Sequence, residues 1–536
     1  MFYRRVTSHS AYPTSVISQG LITLYRLGVL LGLEWNYLDP ILVTRRLTMT
    51  DPAIVTQLPL LPDSLLPAKK PEKPVNLHRF WQHPERWPTG VSESLTIQRV
   101  LDLFGPLDWD NFPERNLRRY WGQPTIPYGT LAAVELLKLN EGLASMGEVH
   151  RYLLEHPGFI PLFGFPLVPA PNHPLGFNAR ASLPTPRHLT QLLRQLPNAA
   201  LQHLLTDSVR LIVSELTGRA APPIECVSLD TKHILAWVKE NNPKTYVADR
   251  FNKAKQPAGD PDCRLGCKRR HNQSRAPATP THTPVAAQRV QVGEYYWGYA
   301  SGIVVTQVPE WGEFVLAEWT QPFDQSDVTY FFPLMQQVEA RLGGKPRYGT
   351  LDAAFDAWYV YAYFYRENDP AGGYAAVPFS EKGGYKANGR QFSPEGLPIC
   401  AAGLPMPLKF AFTDRTTCLV EHERGKYVCP LLFPQVTGEK CPIHHKNWKN
   451  GGCTAMMPTS MGARLRYTLN RDSDEYKRLY RQRSAVERVN SQAVALGIEG
   501  PHLRNGHAIA NQNTLIYLLI NLRFLQRLRQ GQPPAD

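Results

Sequence analysis

The stretch IECVSLD, residues 224–230, decides the fold class of this chain. Its β-branched and apolar residues predict a strand that ends at an aspartate. The stretches YYWGYASGIVV (295–305) and EFVLAEW (313–319) predict two more strands, and RYGTLD (347–352) repeats the pattern of a short strand closed by an aspartate. Helical periodicity follows in DVTYFFPLMQQVEARL and AAFDAWYVYAYFYREN. Strands followed by alternating strands and helices predict an α/β core.

The other parts of the chain divide by composition around this core. Proline marks one linker, helical periodicity marks the region before the core, and Gly, Pro and Cys mark an interruption within it. We expect an N-terminal extension at 1–50, with Met49 as an alternative start, a proline-rich linker at 51–92, a helical N-terminal domain at 93–219 expected to bind DNA, the first part of the core at 222–379, a β-rich cysteine-containing insertion at 380–470, and the completion of the core at 471–530 with a glutamate-bearing helix and a C-terminal helix.

Charge and composition bound the class of partner. The 536 residues carry a formal net charge of +13, which is typical of proteins with a polyanionic partner, most often nucleic acid. The region 250–275 is basic and includes the run Lys268, Arg269 and Arg270, which is either a solvated loop or a phosphate contact. The early apolar stretch GLITLYRLGVLLGLEW is interrupted by charges, so we expect no membrane span. Eight irregularly spaced cysteines indicate a reducing, cytoplasmic compartment.

The stretch LYRQRSAVERVNSQ, residues 479–492, predicts a helix with one apolar stripe and one polar stripe. The polar stripe contains Tyr480, Arg483 and Glu487, beside the packed face and at the rim of a cleft. Arg488 points to a third side. Taken alone, Arg483 and Glu487 are adequately explained as an ion pair one helical turn apart.

Two aspartates change the interpretation of Glu487. Asp230 and Asp352 each close a predicted strand, and ligand sites form at the carboxyl ends of strands in α/β sheets. Two such aspartates with a glutamate from a later helix form a set of hard oxygen ligands, which suits Mg²⁺. Paired Mg²⁺ ions cleave phosphodiester bonds without a protein nucleophile. The sequence therefore predicts Asp230, Asp352 and Glu487 as a three-carboxylate metal site.

These residues also carry a resemblance to a known family. Tyr480, Arg483 and Glu487 fit the first three positions of the Tyr-(2)-Arg-(3)-Glu-(6)-Lys signature. VSLDTKHI resembles the first-aspartate strand and YGTLDAAFDAWYVY the second-aspartate block, with Asp356 at the companion position. The chain resembles the DDE transposases of bacterial insertion sequences over about residues 93–530. The signature's lysine position holds Val494, which is a departure from the family.

The resemblance implies an RNase H-like catalytic core with Asp230, Asp352 and Glu487 as catalytic ligands of Mg²⁺, for which Mn²⁺ could substitute. Tyr480 and Arg483 would contact the phosphates of the element's terminal inverted repeats. Further candidates for DNA contact are Arg488, Lys268, Arg269 and Arg270. The implied enzyme nicks the element's ends and joins their 3′-OH groups to target DNA, acting as a nucleoid-associated homodimer in the synaptic complex.

Two other functions remain open at this point. One is an RNase H-like nuclease without strand transfer. The other is a non-catalytic DNA-binding protein derived from a transposase, which Val494 favours and the intact carboxylate set opposes. From 438 to 529 the chain has 15 Lys and Arg against six Asp and Glu, so basic charge surrounds the glutamate helix as phosphate binding predicts.

Five cysteines fall in the predicted insertion and are candidate zinc ligands: Cys400, Cys418, Cys429, Cys441 and Cys453. The turns Cys429-Pro and Cys441-Pro-Ile-His-His favour zinc, whereas the loose spacing without a CxxC pair favours free thiols.

Overall fold

The structure, a computed structural model, describes residues 77–86, 89–117, 125–267, 295–366, 372–380, 391–415 and 419–533. The predicted extension at 1–50, most of the proline-rich linker and the basic run 268–270 lie outside the described residues.

Helices occupy the described chain up to residue 218. Side chains begin several of them: Ser94, Ser145 and Thr185 each accept a hydrogen bond from a backbone N–H three residues later, which satisfies an otherwise unpaired donor at the helix start. The helices are α1 (Leu77–Gln82), α2 (Thr89–Ser92), α3 (Leu95–Phe104), α4 (Tyr128–Asn140), α5 (Met146–Glu155), α6 (Phe159–Leu162), α7 (Ala179–Ser182), α8 (Pro186–Leu193) and α9 (Asn198–Gly218).

A six-stranded mixed sheet follows, so the predicted α/β class is confirmed. Its strands are β1 (Cys226–Leu235), β2 (Arg264–Cys267), β3 (Tyr295–Val308), β4 (Gly312–Pro322), β5 (Tyr348–Leu351) and β6 (Tyr374–Ala376). The order across the sheet is β4, β3, β1, β5, β6. Strand β2 pairs with the first four residues of β3, and β4 pairs with the residues that follow them. The pairs among β4, β3 and β1 are antiparallel, whereas β1, β5 and β6 run parallel.

The later elements surround this sheet or form a second one. Helix α10 (Phe331–Leu342) links β4 to β5, and α11 (Trp358–Phe364) links β5 to β6. A separate antiparallel sheet contains β7 (Leu408–Asp414), β8 (His422–Val428) and β9 (Thr454–Pro458). The chain then forms α12 (Met461–Thr468), α13 (Asp474–Tyr480), α14 (Ser484–Ala495) and α15 (Gly506–Gln530).

Helix α15 is fixed to the sheet at a β-bulge. The pairing of β3 with β4 shifts register between Val304 and Val305, and this shift leaves Leu316 without a cross-strand partner. The buried Asn521 side chain on α15 accepts from the Val315 N–H (2.7 Å) and donates to the Val315 carbonyl (2.9 Å). Arg341 donates to the Leu316 carbonyl at 2.6 Å. Three backbone groups of the bulge, the Val315 N–H and the Val315 and Leu316 carbonyls, are therefore paired, as buried backbone requires.

A buried hydroxyl pair connects the sheet to the segment before α14. Ser228 and Thr350 are opposite each other on the parallel strands β1 and β5. Their hydroxyl oxygens lie 2.7 Å apart, and Ser228 donates to the Gln482 carbonyl at 3.0 Å. The Ser228 proton serves Gln482, so Thr350 donates to Ser228. This junction joins three segments that are remote in sequence.

We expect Ser228→Ala to lower the free energy of unfolding by about 1–2 kcal/mol, because it leaves the Gln482 carbonyl without its donor. The amides of residues 481–487 should also exchange faster with deuterium, since the junction holds them on the sheet. Denaturant unfolding and hydrogen exchange test both results. Ser208→Ala is the matched control, because Ser208 is also buried and donates to a backbone carbonyl, that of Leu205, in α9. Unchanged exchange in 481–487 would contradict this role for Ser228.

Candidate functional site

Asp230 and Asp352 lie side by side on neighbouring strands. The parallel pairing of β1 with β5 ends at Leu229 opposite Leu351, so each aspartate is the next residue of its own segment. Adjacent strands are separated by roughly 4.8 Å. Asp352 also begins a short 3₁₀ turn, where its carboxylate accepts from the Ala354 N–H at 2.8 Å. The sequence prediction that these two carboxylates meet at one edge agrees with this placement.

The sequence prediction was wrong about the end of β1. IECVSLD predicts a strand that ends at Asp230, but β1 continues to Leu235 and Asp230 is its fifth residue. The reason is the long antiparallel strand β3, which pairs with β1 up to Leu235 opposite Gly298. Asp230 therefore lies where the parallel partner stops and the antiparallel partner continues. Its carboxylate therefore projects from a strand that is paired with β3 rather than from a loop.

The predicted continuous helix across 479–492 is also wrong in one respect. Helix α13 ends at Tyr480, a 3₁₀ turn covers Arg481–Arg483, and α14 begins at Ser484. The hydrogen bond from Ser228 to the Gln482 carbonyl lies at this break, and a carbonyl bonded to the sheet is drawn away from regular α-helical pairing. The predicted apolar stripe is nevertheless buried, since Val486, Val489 and Ala493 have no exposed surface.

Arg483 lies between two of the predicted carboxylates. Its Nη1 is 2.6 Å from Glu487 Oε1, and its Nη2 is 3.7 Å from Asp230 Oδ2. Arg483 and Asp230 are mostly buried, with 22% and 20% of their side chains exposed, whereas Glu487 is 59% exposed. One guanidinium thus compensates part of the charge of both acids. The helical ion pair considered from the sequence is present, and it is extended to a third residue.

One edge of the Arg483 guanidinium carries an unpaired donor. Its Nε is buried, and no side chain or backbone group of the described residues accepts a hydrogen bond from it. Its Nη2 contact with Asp230 is longer than a hydrogen bond. The Nε and Nη2 donors of arginine together match two oxygens of a phosphate. An unsatisfied buried donor beside a carboxylate cluster is consistent with an oxyanion ligand.

Tyr480 faces the same cluster. Its ring stacks on Tyr476 with centroids 5.9 Å apart and an angle of 9° between the planes. Burial raises the pKa of the Tyr480 phenol, Arg483 opposes this effect, and the charges of Asp352, Glu487 and Asp230 add to it. The phenol consequently stays protonated and can donate a hydrogen bond. The three signature residues that are present, Tyr480, Arg483 and Glu487, therefore belong to one electrostatic cluster with both aspartates.

Asp230 is the most perturbed carboxylate of this group. Burial raises its pKa to about 6, while the Arg483 charge and the Thr231 backbone N–H work in the opposite direction. Like-charge repulsion from Asp352 and Asp327 also contributes to this raised pKa. The site therefore concentrates more negative charge than its single arginine neutralises. Such a cluster has the electrostatic character of a cation site.

Two acidic residues have roles that the sequence analysis did not assign. Asp327 accepts a hydrogen bond from the Thr231 hydroxyl at 2.9 Å, next to Asp230. Only its position shortly after the predicted strand 313–319 could have indicated it. Asp356, the companion aspartate, is fully buried and receives two hydrogen bonds from Arg466, at 2.8 and 2.6 Å. Asp356 therefore anchors α12 and is not available as a ligand in this arrangement.

The other candidate DNA contacts are placed differently. Arg488 forms an ion pair with the buried Glu313 and donates to the Ser484 hydroxyl at 2.8 Å. Its charge is thus partly used inside the protein, and its role toward DNA stays a prediction. Lys268, Arg269 and Arg270 lie outside the described residues. Val494 is 39% exposed on α14, so an apolar side chain meets solvent at the signature's lysine position.

The donor set fits a divalent cation chemically but is not assembled around one. Among the described ranges, no group of three or more His, Cys, Asp or Glu side chains is close enough to hold a metal ion. The reason lies in Glu487, whose carboxylate is turned toward Arg483. The Arg483 guanidinium occupies part of the space between Glu487 and Asp230 in which a metal ion would lie. Three carboxylates with a raised pKa at Asp230 are nevertheless suitable ligands for Mg²⁺.

Comparisons with family models and curated proteins found no match, so function is inferred from the geometry of the site. No protein-family model matches the chain, and no curated protein is significantly similar to it. Within the described part of the chain, every helix is too short or too polar to cross a membrane.

We expect the stability of the metal-free protein to depend on the ionisation of Asp230. The folded-state pKa of about 6 exceeds the ordinary value of 3.8, so the folded protein binds this proton more tightly than the unfolded chain does. Ionisation then costs stability as the pH rises through this interval. Relative to Asp230→Asn, the wild type should lose on the order of 1–3 kcal/mol of unfolding free energy between about pH 4 and pH 7.

Denaturant unfolding in EDTA at several pH values tests this prediction. The exposed Asp472→Asn variant controls for the loss of a carboxylate elsewhere. A difference between wild type and Asp230→Asn that stays constant with pH would contradict the raised pKa.

Proposed function

We propose that this chain is a DNA transposase of the DDE type found in bacterial insertion sequences. One observation carries the proposal. Asp230 and Asp352 are adjacent on neighbouring parallel segments. Arg483 lies between Asp230 and Glu487, and Glu487 belongs to a helix more than a hundred residues later in the chain. A structural ion pair alone does not require that a second aspartate, Asp352, lies on the neighbouring strand beside Asp230.

The fold supports the same proposal. The core strands have the order β4, β3, β1, β5, β6, with three antiparallel strands followed by two parallel ones. We interpret this arrangement as an RNase H-like core. The sheet β7–β9 would then be the insertion that precedes the glutamate helix α14, and α1–α9 would include the helical N-terminal domain that binds DNA.

The residues of the site have separable tasks in this proposal. Asp230, Asp352 and Glu487 would hold Mg²⁺, or Mn²⁺ in its place. When bound, the metal supplies activation of the attacking oxygen and stabilisation of the leaving oxygen. The free edge of Arg483 would hold a phosphate of the element's end, which fixes the scissile bond near the carboxylates. The protonated Tyr480 would donate a second hydrogen bond to the same backbone.

The reaction consists of two phosphodiester exchanges. Water first cleaves the strand at the element's end and leaves a 3′-OH group. That hydroxyl then attacks a phosphodiester of target DNA, and the target's own 3′-oxygen departs. The partners would be the terminal inverted repeats and target DNA, brought together by a homodimer at the nucleoid. The basic charge around α14 suits both substrates.

A non-catalytic DNA-binding protein is the second candidate, and two observations favour it. Val494 replaces a lysine with an exposed apolar side chain, and Glu487 is paired with Arg483 rather than turned to the aspartates. An RNase H-like nuclease without strand transfer is the alternative within the enzyme class, and it would share the carboxylate site.

The deciding experiment incubates the purified protein with the DNA that flanks its gene. Reactions with and without Mg²⁺ are run beside Asp230→Asn. We expect nicks at defined ends that require both the metal and Asp230. Joining of those ends to a supercoiled plasmid would separate a transposase from a nuclease. Binding without metal-dependent nicks would support the non-catalytic protein and overturn the proposal.

We expect Glu487→Gln to abolish nicking and to leave DNA binding within about twofold of wild type. Glutamine keeps the shape of the side chain and its contact with Arg483, but it is a poor ligand for a hard cation. Gel-shift titration and a nicking assay measure the two effects. Glu475→Gln, an exposed glutamate on α13, is the control and should retain both functions. Residual nicking by Glu487→Gln near the wild-type rate would remove Glu487 from the metal site.

We expect Arg483→Ala to weaken DNA binding and to reduce the slope of log K against log salt by about one, because one phosphate contact is lost. Arg481→Ala is the matched control, since Arg481 is an exposed arginine in the same 3₁₀ turn. Binding measured at several salt concentrations gives both slopes. Equal slopes for Arg483→Ala and wild type would argue against a phosphate contact.

A further inference from the structure

The loop between β8 and β9 is ordered around very few apolar residues. Residues 430–452 contain one short 3₁₀ turn, Trp448–Asn450, and most of their side chains are exposed. The small core beneath them consists of Cys429, Leu431 and Cys441, with partly buried Leu404, Leu432, Trp448 and Cys453 around it. The burial of so few apolar side chains does not offset the conformational entropy lost when so long a loop becomes ordered. Small folds of this kind usually gain stability from a disulfide or a metal.

Two of the cysteines face each other across the ends of β8 and β9. The last pair of this antiparallel ladder is Val428 with Thr454. The next residues outward are Cys429 and Cys453, which makes them direct cross-strand neighbours with Cβ atoms about 4.5–5.5 Å apart. Gly452 adopts a φ of +78°, and a Cβ there would lie 3.2 Å from the Cys429 sulfur. The glycine therefore leaves the space in which the two thiols meet.

A third thiol reaches the same place from a different segment. The Cys453 thiol lies within hydrogen-bonding reach of both Cys429 and Cys400. Cys400 is held by an isolated bridge between Ile399 and Pro405 and by its own N–H, which donates to the Leu404 carbonyl at 2.9 Å. Cys441 is buried in the same small core as Cys429. Four cysteines from separate segments of the chain thus lie near one another.

The local backbone is also typical of thiolate ligands. The carbonyls of Cys400, Cys429 and Cys441 each accept a hydrogen bond from an N–H three residues later, at 2.9, 3.2 and 3.0 Å. Each cysteine therefore opens a tight turn. Lys440, Lys446 and Lys449 lie on the same loop and would offset the negative charge of a thiolate cluster.

We propose that Cys400, Cys429, Cys441 and Cys453 form a structural zinc site that orders this loop. Four thiolates satisfy tetrahedral zinc with no position left for a substrate, so the site is structural rather than catalytic. Binding releases the thiol protons to solvent. As placed, these thiols are not close enough to hold a metal ion, since the described residues contain no group of three or more His, Cys, Asp or Glu side chains that could do so. Metal-free thiols pack as neutral groups, and zinc would draw them together.

The site is independent of the proposed catalytic function. None of its ligands belongs to the carboxylate cluster, and it would stabilise the sheet β7–β9 whether or not the chain cleaves DNA. Cys418 lies outside the described residues, and His444 and His445 are not required to complete four ligands.

Metal analysis of the full chain tests the zinc site. The protein is purified with a reducing agent and without chelators, and zinc is measured by mass spectrometry. We expect about one equivalent of zinc per chain for one tetrahedral site. Cys429→Ser and Cys453→Ser should each lose most of it, and Cys263→Ser, which removes a buried thiol from the main core, should retain it. Retention of full zinc by Cys441→Ser would overturn the four-cysteine assignment.

A second measurement keeps the test decisive if a serine variant fails to fold. Wild-type protein reconstituted with Co²⁺ should show strong thiolate-to-cobalt absorption, and zinc should displace it. Less than about a tenth of an equivalent of zinc, together with no thiolate-to-cobalt absorption, would overturn the proposal. A Cys429–Cys453 disulfide in protein prepared under reducing conditions would overturn it as well.

Discussion

The buried hydroxyl junction of Ser228, Thr350 and Gln482 is the constraint on which the candidate site depends. Ser228 and Thr350 each lie two residues before an aspartate of the cluster, and Gln482 lies between Tyr480 and Glu487. A strand repeats every two residues, so the hydroxyl and the carboxylate of each strand project from the same side of the sheet. The contact that anchors the helical segment therefore also sets its distance from both carboxylates.

Neighbouring groups have opposite effects on the ionisation of Asp230. Burial and neighbouring acids favour a neutral Asp230, whereas the Arg483 guanidinium favours its charged form. Without the arginine, three carboxylates would repel one another in a partly buried space. With it, the metal-free protein can keep the cluster intact, although Glu487 is then engaged by the arginine. The same side chain therefore stabilises the metal-free arrangement, and its buried Nε has no hydrogen-bond partner among the described residues.

Much of the sheet and of the cluster could be predicted from short sequence patterns. Apolar runs closed by Asp230 and Asp352 located the adjacent strands, because hydrophobic period and strand ends are local properties. The apolar stripe of α14 was likewise a local signal. The length of β1 could not be predicted, since it depends on pairing with β3 far along the chain. The 3₁₀ break before α14 depends on a hydroxyl more than 250 residues away.

The ion-pair partners of charged residues could not be predicted from the sequence either. Glu313 and Arg488 are remote in sequence, and only the packing of α14 on β4 brings them together. Asp327 carries no recognisable pattern, yet it adds to the negative charge at Asp230. Long-range ion pairs are products of the tertiary fold, so local propensity contains no information about them. For the same reason the sequence gives no sign that Asp356 pairs with Arg466, which is 110 residues later in the chain.

The short 3₁₀ turn at Arg481–Arg483 has a consequence for how the chain can vary in length. One residue gained or lost between Tyr480 and Glu487 would turn the later helix by about 100° and move its glutamate away from Asp230. The sheet β7–β9 imposes no such condition, because its loops do not set the direction of α14. Related chains should consequently differ freely in length around β7–β9 while keeping a fixed number of residues in the seven-residue step from tyrosine to glutamate.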